Sequence, residues 1–398
     1  MVNSNLKIIR ACTVSMSLTF LEGMLEELCK RYEVVLLSSP GVEMEQAKEK
    51  HGVATIAIPM ERHISPKNDI IALWRIIKAL RREKPQMVHS ITPKAGLLCM
   101  MAARIARVPV RVHTFTGLVW PTETGWKRRI LMVTDWLTCA CATHIIPEGK
   151  GVMADLQNNG ITKKPMRVLG HGNVRGIDLE RFSKREDVIR MMEEKGLRGK
   201  SEFTFLFVGR IVRDKGINEL VTAFDKLHKE YPGSRLVLVG RYEDELDPVS
   251  AWTRRIIEEG RGIEAVGEKL NEELIAYYAA ADCYVFPSYR EGFPNTVLEA
   301  GAMGLPCIVT DINGSREIIV EGENGVIIPP QNEQALYEAM VKMMTDEEGR
   351  KRMAGNARRM VAERFEQNYV RQCLFDFYES ILGGMKNENE NEDENGKG

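Results

Sequence analysis

The sequence predicts an α/β protein of two domains, each a parallel sheet covered by helices on both faces. Three observations carry this. A chain of 398 residues exceeds what one hydrophobic core supports, so it splits into two or three domains. Short runs rich in β-branched residues alternate with helical patterns, as strand–helix–strand crossovers require. The alternation breaks once, at the glycine-rich, charged stretch RVLGHGNVRGIDLERFSKRED, and then resumes. That stretch is the expected hinge between a first domain over 1–180 and a second over 181–365, which would enclose a cleft. A helix over 366–385 is expected to return to the first domain.

In chain order, the first domain offers the strands LKIIRACTV, YEVVLLSS, VATIAIP, QMVHSIT, VRVHTFTG and THIIPEG, each bounded by polar, Pro or Gly residues. DIIALWRIIKALRREK and KAGLLCMMAARIAR lie between them with helical spacing. Beyond the hinge come FTFLFVGR, SRLVLVGR, IEAVG, CYVFPS and PCIVTD, separated by GINELVTAFDKLHKEY, NEELIAYYAAA and NTVLEAGAMG. A helical stretch from about Gln331 to Leu382 follows. The last residues, KNENENEDENGKG (386–398), contain no apolar side chain and are expected to be disordered.

Composition narrows the classes. No apolar run approaches the roughly 20 residues that a spanning helix needs. The first residues lack the basic-then-apolar layout of a secretion signal, and eight scattered cysteines without a C-x-x-C pair suit reduced thiols in the cytoplasm. The net charge of −1 hides an asymmetry: residues 1–180 hold 25 Lys/Arg against 16 Asp/Glu (+9), and the remainder 30 against 40 (−10). The first half is therefore the one expected to meet an anionic surface. Nucleic acid is a poor candidate, because no recognition motif accompanies the charge.

The second half carries the specific chemistry. In LFVGRIVRDKG a strand ends at Gly209-Arg210, and Lys215-Gly216 precede a helix. Glycine lets a backbone approach a ligand, and two cations beside a helix start suit a diphosphate. In EGFPNTVLE, Pro294 and Asn295 are helix-start residues, so the amides of Asn295, Thr296 and Val297 are expected to face the cleft as an anion site. Glu291 precedes them in a loop, where its carboxylate can accept from sugar hydroxyls. Glu299, one turn into the helix, is either a grip on the paired hydroxyls of a ribose or the acid of a Thr296-x-x-Glu299 capping box.

This ordered set resembles glycosyltransferase family 4. The likeness rests on Glu291-x7-Glu299 with Gly-Phe-Pro-Asn inside it, VGRIVRDKG, EAVG before NEELIAYYAAADCYVFPS, and GSREIIVEGENGVIIPP, and it spans nearly the whole chain. The resemblance implies the GT-B fold, with two Rossmann-like domains facing across a cleft, and transfer with retention of anomeric configuration. It implies a UDP- or GDP-sugar donor in the second domain and neither a metal nor another cofactor. By position, Arg210 and Lys215 would contact the donor diphosphate beside Gly209, Glu291 the donor sugar and Glu299 the ribose. The loop amides from Phe293 through Pro294 to Val297 would assist at the β-phosphate. The base would lie near Arg241 and the strand of Val266. The leaving nucleotide gains charge as the glycosidic bond breaks, so fixed cations and helix amides stabilise the transition state beyond the ground state.

The first half resembles, more weakly, the subgroup that builds lipid-linked bacterial surface polysaccharides. His113, at the end of a strand expected to face the cleft, is a candidate catalytic residue near the donor sugar; a satisfied strand-end histidine is the alternative. Arg175 stands where relatives commonly carry Asn. TGWKRRILMVTDWLTC sets cations beside aromatic and aliphatic residues at a helix start, which suits either a membrane surface or a core-packed helix with a solvated edge. The function the resemblance implies is transfer from a nucleotide sugar to a lipid-linked saccharide, of the undecaprenyl diphosphate-linked kind, in capsular or surface polysaccharide assembly at the inner face of the cytoplasmic membrane. A GT-B-type nucleotide-sugar epimerase and a non-catalytic nucleotide-sugar-binding partner are the alternatives.

Overall fold

The computed structural model describes residues 6–21, 23–198, 203–245 and 247–395, with side chains described as far as 383. It divides into two compact units, Met1–Arg175 with Asn368–Gly398, and Gly176–Gln367.

The first unit contains β1 (Lys7–Ala11), β2 (Glu33–Ser38), β3 (Ala54–Ala57), β4 (Met87–Ile91), β5 (Val110–Phe115) and β6 (His144–Pro147). All pair in parallel, in the order β3-β2-β1-β4-β5-β6. The second contains β7 (Phe203–Val208), β8 (Ser234–Val239), β9 (Ile263–Gly267), β10 (Cys283–Phe286), β11 (Cys307–Thr310) and β12 (Gly325–Ile328). Their order, β12-β11-β10-β7-β8-β9, repeats the same winding. Strand order reverses between β1 and β4 in one sheet and between β7 and β10 in the other. Loops leaving the carboxyl ends there diverge and open a crevice, the place where such sheets bind ligands.

Alternation along the strands decides the layers. Ile9, Val35, Leu37, Val88, Phe115 and Ile145 enter one core under the helices Pro66–Glu83, Pro93–Ile105 and Gly125–Cys141. Their neighbours Ile8, Val34, Leu36, Met87, Val112 and Ile146 enter the opposite core, closed by Leu25–Arg31 and by the final helix, Gln367–Asn395, through Leu374, Phe375, Phe377, Tyr378 and Leu382. The second unit packs around a single core in which β7, β8 and β10 are buried almost throughout. Proline at the first turn starts the helices Pro66–Glu83 and Pro93–Ile105, where its missing N–H costs nothing.

Three expectations shift. The boundary expected at 180/181 lies at Arg175/Gly176, because Ile177 already pairs with the end of the second unit: its amide donates to the Phe365 carbonyl (2.8 Å) and its carbonyl accepts from Gln367 (3.0 Å). Outgoing and returning chain thus lie side by side. β12 escapes sequence reading because GVII stands between the turn residues GEN and two prolines, which together read as a loop. The last helix is helical backbone to Asn395, which carries helix into the acidic stretch expected to be disordered; extending a formed helix needs no new nucleus. Residues 396–398 of that stretch lie outside those described.

Candidate active site

The switch point of the second sheet gathers the predicted residues. β7 ends at Val208, and the next eight residues lead into the helix Ile217–Glu230. Gly216 ends this turn at φ 71°, and a Cβ there would lie 2.1 Å from the Pro287 carbonyl oxygen. Only glycine allows so close an approach, and it brings the Lys215 turn against the end of β10. A hydrogen bond fixes the contact: the Tyr289 amide donates to the Asp214 carbonyl at 2.9 Å, with the Ser288 hydroxyl 3.3 Å from the same oxygen. Gly209 approaches β8 in the same manner, since a Cβ on Gly240 would fall 1.8 Å from its carbonyl oxygen.

Within this crevice the Lys215 ammonium donates to Glu291 Oε1, and the Ser288 hydroxyl, whose single proton has this oxygen as its nearest acceptor, lies 3.0 Å from it. The Lys215 and Glu291 side chains are only 13% and 18% exposed, and the ammonium also lies 5.6 Å from the Phe286 ring centroid. An ion pair this enclosed is less screened by water than one on the surface. Ser288 is fully buried, and its carbonyl accepts from Thr310. Sequence reading passed over Ser288; its only signal is a polar residue directly behind the apolar run CYVFP.

Beside this pair, Arg210 and Arg241 share one carboxylate. Arg210 donates to Glu243 Oε2 at 2.8 Å and Arg241 to Oε1 at 3.4 Å, and both guanidiniums are partly exposed. Burial raises the Glu243 pKa, but the two guanidiniums outweigh it and hold the group below the ordinary carboxylate range. Glu243 was not anticipated: an acid in GRYEDEL reads as one of a solvated run. Val266, on β9, is half-buried against the core.

The helix Asn295–Ala302 begins one residue before Thr296, with Pro294 at its N-cap, so the capping-box alternative for Glu299 does not form. Its nearly buried carboxylate accepts from the Tyr278 hydroxyl at 2.9 Å. Burial first, and Glu299 second, push the Tyr278 pKa up, so the phenol keeps its proton and remains a donor. The expected fan of amides is narrower than predicted. Val297 N–H donates back to the Pro294 carbonyl (3.1 Å) and is not free for an anion, because the first turn closes tightly. The Thr296 amide has no acceptor among the described residues. The Phe293 ring is core, packed edge-on to Phe365 at 5.4 Å, and Gly314 lies against Gly292, Phe293 and Pro294. A buried ring and a crowded glycine hold the loop; its backbone, not the phenyl group, is what a ligand could meet.

His113 belongs to the first unit. It lies within β5 rather than at its end, wholly buried under the helix Pro93–Ile105. Its Nδ1 is 2.9 Å from the Ser90 hydroxyl and its ring stands edge-on to Phe115 at 4.5 Å. A Cβ on Gly96 would lie 2.3 Å from its Cε1, so the helix passes directly over the ring. Burial pushes its pKa down to about 3, leaving a neutral imidazole. Residues 113 and 115 share the face turned to the helices, and that register gives His113 the setting of a satisfied core histidine.

Comparison with known proteins agrees with this division. Residues 18–172 match the glycosyl transferase 4-like domain, and residues 189–360 match glycosyl transferases group 1. The capsular polysaccharide biosynthesis glycosyltransferase CapM of Staphylococcus aureus is 31% identical over 380 residues, covering 95% of this chain and 98% of that one. The UDP-Gal:alpha-D-GlcNAc-diphosphoundecaprenol alpha-1,3-galactosyltransferase of Escherichia coli is 29% identical over 313 residues, covering 76% and 78%. Among solved structures, HepE of Anabaena in complex with UDP superposes with a TM-score of 0.77 at 17% identity, over 94% of this chain and 100% of that one.

Proposed function

The chain belongs to the glycosyltransferases, with a glycosyl transferase 4-like domain followed by a group 1 domain in the GT-B fold, and from that premise we propose that it transfers a sugar from a nucleoside diphosphate sugar to a lipid-linked glycan in capsular or surface polysaccharide assembly. The observation that carries the proposal is the Lys215–Glu291–Ser288 cluster at the β7/β10 switch point, flanked by Arg210. It offers cations for a diphosphate and a carboxylate for sugar hydroxyls within one crevice.

In this reading the donor diphosphate meets Arg210, Lys215 and the Thr296 amide. Glu291 holds the donor sugar, and Glu299, oriented by Tyr278, holds the ribose. The nucleobase lies toward Arg241 and β9. Arg210 and Lys215 are paired with carboxylates in the free protein; an arriving diphosphate shares both cations, and Glu291 turns one oxygen to the sugar. As the bond from the anomeric carbon to the diphosphate breaks, negative charge grows where these donors already point, so they favour the transition state. The acceptor hydroxyl adds to the same face of the sugar and gives its proton to the departing phosphate, which retains the anomeric configuration without a protein acid. No step in this scheme is assigned to a metal.

The acceptor proposal draws on CapM and on the relative named for a diphosphoundecaprenol-linked substrate. With a lipid-linked acceptor and a basic first half, the enzyme would work as a peripheral protein at the inner membrane face. The test is incubation with a panel of radiolabelled nucleotide sugars and membrane lipid extract. Label passing into the organic phase from one donor supports the reading. Conversion of the donor without acceptor, or tight nucleotide binding with no labelled lipid, replaces it with an epimerase or a silent partner.

A further inference from the structure

We infer that the outer surface of the helix layer on the first sheet is a docking face for an anionic phospholipid bilayer, into which Trp74, Trp126 and Trp136 insert. This deepens the functional proposal and rests on its lipid-linked acceptor. The helices Pro66–Glu83 and Gly125–Cys141 lie on either side of Pro93–Ile105 and bury one stripe each in the core beneath, including Ala72, Ile76, Ala79 and Leu80 on the first and Cys139 on the second. A helix so placed should turn a polar stripe to water. These two do not. Ile70 and Trp74 are 68% and 64% exposed, with Ile71 beside them; Trp126, Val133 and Trp136 are 72%, 54% and 51% exposed. Their spacings, 70-71-74 and 126-133-136, each make a single stripe. Exposed apolar surface of this extent on neighbouring helices marks an interaction site.

Charge chooses the occupant. The three helices of this layer carry ten Lys/Arg and three Asp/Glu. All three acids are already engaged: Asp69 is paired with Lys94 at 2.6 Å, Glu83 with Lys7 at 3.3 Å, and Asp135, whose pKa burial pushes up, accepts from the Trp120 indole at 3.0 Å. Lys67, Arg75 and Lys78 line the Trp74 stripe, and Lys127 and Arg129 the Trp126 stripe, all exposed; Lys78 Nζ lies 5.6 Å from the Trp74 ring. Indoles with aliphatic neighbours, rimmed by long cationic side chains, are suited to the headgroup region of an anionic leaflet: rings sit at the acyl boundary and cations reach back to phosphate. No described helix is long and apolar enough to cross a membrane, so contact of this kind lies along the surface.

The full chain, sedimented with vesicles of phosphatidylglycerol and phosphatidylethanolamine and separately with vesicles of phosphatidylcholine, tests this. We expect binding to the anionic vesicles, weakened by salt, with tryptophan fluorescence quenched by brominated acyl chains. Combined Trp74→Ser, Trp126→Ser and Trp136→Ser should weaken binding more than tenfold, whereas Trp252→Ser in the second unit should not. The triple variant should retain transfer to a short-chain, water-soluble pyrophosphate-linked acceptor. Equal, weak binding to both vesicle types overturns the inference, as does self-association lost in the triple variant without vesicle binding, which would assign the face to a second copy. Vesicle binding by a wild-type protein that transfers sugar to no acceptor would leave the surface standing and sink the functional proposal instead.

Discussion

Lys215 and Glu291 are paired with one another in the free protein, so under the proposed mechanism a donor would enter by an exchange of partners rather than by filling a vacant charge. Under the proposed mechanism, replacing either with alanine should lower turnover more than tenfold, measured with saturating donor and acceptor, and should also lower the thermal midpoint, because the pair is enclosed and the remaining charge loses its partner. His113 gives a prediction of another kind. Its imidazole is neutral in the fold down to about pH 3, while an unfolded histidine takes up a proton near 6.5. Below pH 6.5 the unfolded state therefore binds the extra proton, and stability falls as pH falls, by on the order of 2 kcal/mol at pH 5. Thermal midpoints from pH 7.5 to 4.5 should decline less steeply in His113→Gln than in wild type. A parallel decline would show that His113 is not the group responsible. Residue types at the switch point were legible in the sequence, since Arg, Lys, Gly and Glu stood at strand ends. Their companions were not: Ser288, Glu243 and Tyr278 acquire meaning only from what they face.

At the scale of elements, a short turn decides whether the site exists. Gly216 holds a positive φ and lies against the Pro287 carbonyl. Gly216→Ala must both strain the backbone and push the Lys215 turn away from β10. We expect nucleotide affinity, measured by calorimetric titration with UDP and GDP, to fall at least tenfold, with a loss of about 1–3 kcal/mol in stability. Unchanged affinity would mean that Lys215 reaches the ligand without this contact. Strands and helices were largely readable here, because β-branched runs and helical stripes are local patterns. β12 is hard to read because a glycine turn and two prolines frame it as a loop, and Val297 because the sequence cannot say whether a first-turn amide closes on its own loop.

For the whole molecule, the return of the last helix is the feature that binds distant sequence together. Tyr378 accepts from the buried Arg10 guanidinium at 2.7 Å and meets His89 Nδ1 at 2.5 Å, and His89 Nε2 contacts Thr114 at 2.7 Å. Tyr378→Phe keeps the ring and leaves Arg10 and His89 without that partner, which should cost about 1–3 kcal/mol. Four of the five tryptophans lie in the first unit, so urea unfolding followed by their fluorescence reports on it directly. A change below the error of that measurement would mean that water replaces the hydroxyl. By itself the sequence determined the alternation of strands and helices, the two-domain division, the family and the residue types at the switch point of the second sheet, because each is written in local periodicity or short motifs. Only the tertiary structure decided that Glu243 bridges two arginines, that His113 lies buried in a core, and that three tryptophans remain outside one. Those outcomes depend on which face of a strand or helix meets another element, and elements far apart in the chain settle that.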